Sequence, residues 1–334
     1  MAIVTETLLL LGHEQPLRTV RRDEELLLAE PTPGPGPGPG PMKLWADQPP
    51  LEAVHFPQRY AAQPFAPPRG LYENDQLRVE WQTMDNRQPF YHRNCDVDEM
   101  SYQIAGERTL MTELGTVEHR PGDFSRIPRG VAHDNYGREE SHLLFYTPAP
   151  VTEEHTADQI AQPLFPPFDG WEAGTVTEVT TQCLGTPGHD VAAHRGDERL
   201  LLEQAHHEPG RLTLLRPDPA PATTTWLYRA DGFRLGIVHP AGTPGRRTYT
   251  RTLDADEIQY QISGRRVLLT QRGALELTPG DFVRIPLGVA HTSITGEPAR
   301  HLTLLSHRPA PRVAPAARTA DPVTPRLLRE LIAH

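Results

Sequence analysis

Residues 97–104, VDEMSYQI, alternate: Val97, Glu99, Ser101 and Gln103 fall on one face, and Met100, Tyr102 and Ile104 on the other. A period of two is the pattern of a half-buried β-strand. Gly106 followed by the RTLM run predicts a hairpin. HRPGDFSRIP then places a Pro–Gly turn ahead of a short strand that Pro128 and Gly130 end, and HLLFYTP supplies the next strand. Helical periodicity is nearly absent, although Asp321 to His334 reads as a short helix. Short strands and regular turns predict an all-β chain built as a sandwich or small barrel. The 36 prolines and 26 glycines in 334 residues point the same way.

The pattern occurs twice. PGDFSRIPRGVAH begins at Pro121 and PGDFVRIPLGVAH at Pro279, 158 residues later. The same offset carries DEMSYQIAGERTL, from Asp98, onto DEIQYQISGRRVL, from Asp256. LYENDQLR from Leu71 matches LYRADGFR from Leu227, and RRDEELLLAE from Arg21 pairs loosely with RGDERLLLEQ from Arg195. The chain is therefore read as a tandem duplication. It divides into an N-terminal segment with a Pro/Gly linker (1–42, containing the insert Pro31 to Met42), a first unit (43–165), a second unit (166–312) and a C-terminal tail (313–334). A Pro-rich seam, Pro163 to Phe168, separates the units. The loose Arg21 match predicts that the N-terminal segment adds a strand to the opposite unit.

Composition narrows the function. A net charge of -10 argues against nucleic acid and anionic membranes as partners. Two cysteines, Cys95 and Cys183, cannot make a disulfide framework, and fit a reduced, cytoplasmic setting. No basic n-region precedes the short apolar run Leu8 to Leu11, so a secretory signal is not expected, nor is a membrane span. Nothing in the sequence opposes a homodimer or a higher homo-oligomer.

YHRNCDVDEM, residues 91–100, concentrates the candidate chemistry: a metal site, a Cys–His pair or an acidic turn. Cys95 sits beside two aspartates, which would raise its pKa rather than activate it, so a buried packing role is expected for it. The duplicate, YTRTLDADEI, keeps the acidic turn and Glu257 but has Thr250 for His92 and Thr252 for Asn94. The turn is therefore scaffold. His92, Glu99 and His133 form a two-histidine, one-carboxylate set suited to a borderline divalent metal with open positions. The second unit retains Glu257 and His291 and is expected to be structural and metal-free.

The PGD turn, the strand, IPxG and the final histidine (Pro121 to His133, Pro279 to His291), with Glu99–Gly106 and Glu257–Gly264, resemble the two motifs of cupins. The resemblance spans most of 70–148 and 227–306. It implies two tandem cupin barrels (double-stranded β-helix, jelly-roll-like) with short helices, that is, a bicupin. YHRNC followed by a glutamate also resembles the metal-binding stretch of homogentisate 1,2-dioxygenase-like ring-cleaving enzymes. That likeness implies Fe(II) held by His92, Glu99 and His133, with O2 and a hydroxylated or aminohydroxylated small aromatic as substrates. Those enzymes place the glutamate one residue nearer the histidine, which makes Asp98 the alternative carboxylate. They also carry a catalytic histidine where this chain has Ile127, which disfavours homogentisate itself. Asn94 and Tyr136 are the candidate catalytic residues, and Tyr102, Gln103, Arg126 and Asn135 the candidate substrate-binding ones. Arg126 could grip a carboxylate bidentately. Two other readings are an isomerase or decarboxylase using Mn, Ni or Zn, and a bicupin that binds a small molecule without chemistry.

Overall fold

A computed structural model describes residues 2–29, 49–62, 68–163, 169–184, 189–218, 223–240 and 247–332. The insert Pro31 to Met42 and all of the seam except Pro163 lie outside these residues. Among the described residues the strands form three sheets of six, eight and eleven. The six- and eight-stranded sheets are the two walls of the second barrel. The eleven-stranded sheet wraps the first, because Asp98–Thr112 and Ala132–Thr147 run through both walls without a break. The fold is all-β, two barrels, the architecture that the cupin-like motifs predict. Among the described residues no helix is long and apolar enough to cross a membrane. The C-terminal helix is Pro325–Ile332.

The repeated motifs are explained by backbone geometry. Gly106 has φ +66°, and a Cβ there would lie 2.3 Å from the Glu139 carbonyl oxygen; Gly264 has φ +70° and would meet Pro298 in the same way. Only glycine fits such a turn. The motif aspartates fasten the PGD turn, Asp123 accepting from the Arg120 amide at 2.8 Å and Asp281 from the Thr278 amide at 2.7 Å.

The alternation seen in VDEMSYQI separates two environments. Met100 and Tyr102 lie in the largest apolar cluster, which joins the two barrels back to back. Tyr102 meets its own duplicate, Tyr260, with ring centroids 6.3 Å apart, and each also packs on the phenylalanine of its PGD motif, Phe124 or Phe282. The interface is thus pseudo-symmetric, each half presenting the same patch. Glu99, Ser101 and Gln103 point the other way, into the barrel.

Strand pairing does not follow the unit boundaries 43–165 and 166–312. Ile3–Leu9 runs parallel to Thr248–Thr252 of the second barrel, and Glu52–His55 and Arg318–Thr319 also join that barrel. Conversely Thr175–Gln182 runs parallel to Tyr91–Asn94, and Thr213–Leu215 pairs with Phe124–Ile127, both in the first barrel. Each barrel is completed by a segment that precedes it in the chain or follows it, and the expected strand exchange by the N-terminal segment is present.

The exchanged segments dock through one device used twice. In RRDEELLL, Asp23 caps the helix Glu24–Leu28; in RGDERLLL, Asp197 caps Glu198–Glu203. The next residue is a buried carboxylate. Glu24 accepts from Tyr249 Oη at 2.8 Å and pairs with Arg247. Glu198 accepts from Tyr91 Oη at 3.0 Å and pairs with Arg87, which also binds Asp134 at 2.6 Å.

Candidate metal centre

Tyr91–Asn94 and the start of Ala132–Thr147 are neighbouring antiparallel strands, with His92 directly opposite His133. Directly opposed residues project to the same side, here the barrel interior, and the two rings stand edge to face with centroids 5.2 Å apart. Glu99 opens the next strand. The turn through Asp96, Val97 and Asp98 resets the parity, so Glu99 also points inward. One ligand-type atom from each of His92, Glu99 and His133 lies within 4.8 Å of the others. His133 Nε2 is 3.7 Å from Glu99 Oε2.

Burial holds His92 down to about 4, with a further push from His133, and burial likewise holds His133 down to about 4. Both imidazoles are therefore neutral near pH 7, the form that binds metals. The Val131 carbonyl lies 3.4 Å from His133 Nδ1, leaving Nε2 toward Glu99. Two neutral imidazoles and one carboxylate converging on one point fit a divalent metal. Close by, burial raises the Glu80 carboxyl to about 7, Arg78 opposing the shift.

Asp98 is excluded as the alternative carboxylate. It points outward and is bound by Arg126 at 2.9 Å and by the amides of Arg129 and Val151 at 2.9 and 3.1 Å. Asp256 holds Arg284 and the amides of Leu287 and Ala310 in the duplicate. The same contacts correct the expectation for Arg126, which belongs to this scaffold on the outer face. Tyr102 is corrected too, because it lies in the inter-barrel core. Tyr136 follows Asp134 onto the outer face, where Arg138 stacks over its ring at 5.2 Å; it is not beside the histidines. Asn135 and Gln103 do share the interior face with His133 and Glu99. Asn135 donates to Gln88 at 3.3 Å, and Gln103 donates to the Ala105 carbonyl and to Glu140 at 2.9 and 3.0 Å.

Asn94 is held as a support for Glu99. Its Nδ2 donates to Glu99 Oε2 at 2.8 Å, while its Oδ1 accepts from Cys183 Sγ at 2.8 Å. The thiol fixes which end of the amide faces the carboxylate. Cys183 is buried and Cys95, expected to be the packing cysteine, is exposed. Burial pushes the Cys183 thiol far up, so it stays a donor. The Thr181 hydroxyl contacts His92 Nε2.

Thr181 and Cys183 escape a reading of the sequence centred on the cupin-like motifs. They reside in the exchanged strand Thr175–Gln182 and the residue after it. The signal was available as TEVTTQCLG, from Thr177, against TETLLLLG, from Thr5. Where the first barrel has Thr181 and Cys183, the second has Leu9 and Leu11, so the polar pair appears in the copy that has His92.

In the second barrel Thr250 stands opposite His291, where His92 stands opposite His133. His291 Nε2 lies 3.3 Å from Glu257 Oε2, and Glu257 Oε1 accepts from Gln259 and Thr303, both at 2.7 Å. Against the upward push of burial, His291 and these hydrogen bonds hold Glu257 down to about 2.

No family model matches the chain. A protein of Saccharolobus solfataricus carrying the name "Putative dioxygenase" is 23% identical over 232 residues, which is 61% of this chain and 59% of that protein. The match thus spans about three fifths of the relative's length. Among solved structures, a cupin 2 conserved barrel domain protein from Leptotrichia buccalis aligns with a TM-score of 0.48 at 9% identity, over 78% of this chain and 98% of that one. A mutant of Bacillus subtilis oxalate decarboxylase aligns with a TM-score of 0.43 at 14% identity, over 78% and 79%.

Proposed function

We propose that the chain is a dioxygenase that inserts O2 into a hydroxylated or aminohydroxylated small aromatic and cleaves its ring in the first barrel, with Fe(II) held by His92, Glu99 and His133. The observation that carries this reading is the convergence of those three side chains within 4.8 Å, in one copy of a duplicated barrel. The relative's name supports the reaction class. The HRN sequence with its following glutamate supports the likeness to homogentisate-type enzymes. A bound iron would supply electrons to dioxygen and a Lewis acid for substrate oxygens. The chain's own residues do the rest. His133 is aimed by the Val131 carbonyl, Glu99 is steadied by Asn94, and Cys183 keeps that amide the right way round. The buried interior excludes water, so charges there are felt strongly. Asn135 and Gln103, on the same interior face, are positioned to meet a substrate.

One observation favours a second reading, isomerisation or decarboxylation with Mn, Ni or Zn. Glu80, with its carboxyl raised to about 7, could take up or release a proton at neutral pH without oxygen. Turnover of ortho- and para-dihydroxy and ortho-aminophenol aromatics, run with an oxygen electrode and repeated anaerobically, separates the two. Oxygen uptake that requires iron supports the first; turnover that persists without oxygen overturns it.

A further inference from the structure

The deeper interior of the first barrel differs from its duplicate in a way the metal centre does not explain. Arg108 and Arg266 occupy equivalent strands of the two barrels and are the most deeply buried arginines among the described residues, each under 3% exposed. In the second barrel Arg266 is saturated. Its Nε donates to Gln261 Oε1 and one terminal nitrogen to Gln259 Oε1, both at 2.6 Å, and the other to Ser293 Oγ at 2.7 Å. In the first barrel the glutamine at 259 is replaced by Ser101, and Ser293 by Asn135. Arg108 donates to Ser101 Oγ at 2.8 Å, and its Nε has no hydrogen-bond partner in the protein. Gln103, the counterpart of Gln261, donates to the Ala105 carbonyl as Gln261 does to Ser263, and also to Glu140 at 3.0 Å, but its Oε1 is without a partner. The bond that closes the second barrel is thus open in the first, with both of its atoms buried and unpaired.

Two more buried atoms without partners, Asn135 Oδ1 and His142 Nε2, belong to the same interior. Leaving such groups unpaired costs about 1–3 kcal/mol each, so an occupant with matching polar atoms is strongly favoured. Its charge follows from its neighbours. The Arg108 guanidinium contacts a neutral serine, whereas Glu140 is engaged by Gln103 and by His142 at 2.8 Å. A single negative charge suits Arg108, while a dianion would be repelled by Glu140 and Glu99. The unpaired Gln103 Oε1 needs a donor from the same ligand.

We propose that Arg108 anchors the carboxylate of the substrate in the first barrel, with a neighbouring hydroxyl or amino group of the substrate donating to Gln103. The substrate class is therefore a small hydroxy- or amino-carboxylic acid. This assignment deepens the proposed function and rests on it for the word substrate. The anchoring itself needs no metal. Arg108, not Arg126, is the residue that meets the acid group.

The test is binding to metal-stripped protein, measured calorimetrically with salicylate and glycolate as probes and with phenol and inorganic phosphate as controls. At least one of the two acids is expected to bind about tenfold or more tighter than phenol and phosphate. Arg108→Gln is expected to lose that preference. Ser101→Gln restores the side chain found in the duplicate; it is expected to close the bond to Arg108, raise the melting temperature and abolish acid binding. Because it stabilises the barrel, loss of binding in this variant is not a folding failure. If neither acid binds better than phenol, if phosphate binds best, or if Ser101→Gln binds the acid like wild type, the anchor is refuted. Acid binding without any metal uptake by the native protein would instead leave the anchor standing and remove the dioxygenase.

Discussion

Replacing Glu198 with glutamine tests whether an exchanged segment builds the site. Glu198 is 1% exposed, accepts from Tyr91 Oη at 3.0 Å and from the Gly174 amide at 3.2 Å, and pairs with Arg87. Glutamine keeps the shape and removes the charge. Breaking a buried pair costs about 3–5 kcal/mol, and because Arg87 keeps Asp134 the loss belongs near about 3 kcal/mol. Glu198 also seats the hairpin that carries Thr181 and leads into Cys183. Loosening it should free Asn94 and weaken metal retention. Glu24→Gln is the matched control, breaking the same device in the second barrel at a similar cost in stability. Urea unfolding and metal content after dialysis read the two effects. The expected result is loss of stability in both variants but loss of metal in Glu198→Gln alone. Equal metal loss in both, or a Glu198→Gln stability within about 1 kcal/mol of wild type, would refute the reasoning.

Four further outcomes are expected. His133 titrates near 6.5 when unfolded and about 4 when folded, so the folded state binds fewer protons between those values. Stability of metal-free protein should therefore be full above pH 6.5 and fall by about 3 kcal/mol on account of His133, and by a similar amount on account of His92, as pH drops toward 4, measured by urea unfolding; a flat profile across that window contradicts the burial of two neutral histidines. Iodoacetamide should label exposed Cys95 well before Cys183. Cys183→Val should weaken metal retention about tenfold, and Cys183→Ser, which keeps a donor to Asn94, should not; equal behaviour of the two removes the thiol from the support of Glu99. Asp98→Ala should destabilise the chain by about 3–5 kcal/mol without lowering metal content, and loss of metal at unchanged stability would restore Asp98 as a ligand.

The fold was legible because its markers are local. A PGD turn, an IPxG end and a glycine at positive φ are short-range solutions to backbone geometry, and they recur wherever the same turn is built. The three ligand candidates were legible because duplication separates scaffold from addition: Glu99 and His133 have counterparts and His92 does not. Face assignment failed where proximity in sequence stood in for direction. Tyr136 lies three residues from His133 and Tyr102 three from Glu99, and odd separations along a strand point away. Arg126 looked available because its partner, Asp98, is distant in sequence and joined only by strand pairing. The exchanged segments were only partly visible. The helix-capping repeat at Arg21 and Arg195 marked them, but the strand before it has leucines in one copy and Thr181 and Cys183 in the other. That divergence hid the match and is also what fits the strand to its site.

Metal content of wild type, His92→Ala and His291→Ala, each dialysed against the same iron-containing buffer and counted per chain, tests the assignment of the centre most directly. Stoichiometric metal in wild type and His291→Ala, with near-complete loss in His92→Ala, is the expected result. Full metal in His92→Ala, or loss in His291→Ala, would contradict a centre built from His92, Glu99 and His133 in the first barrel.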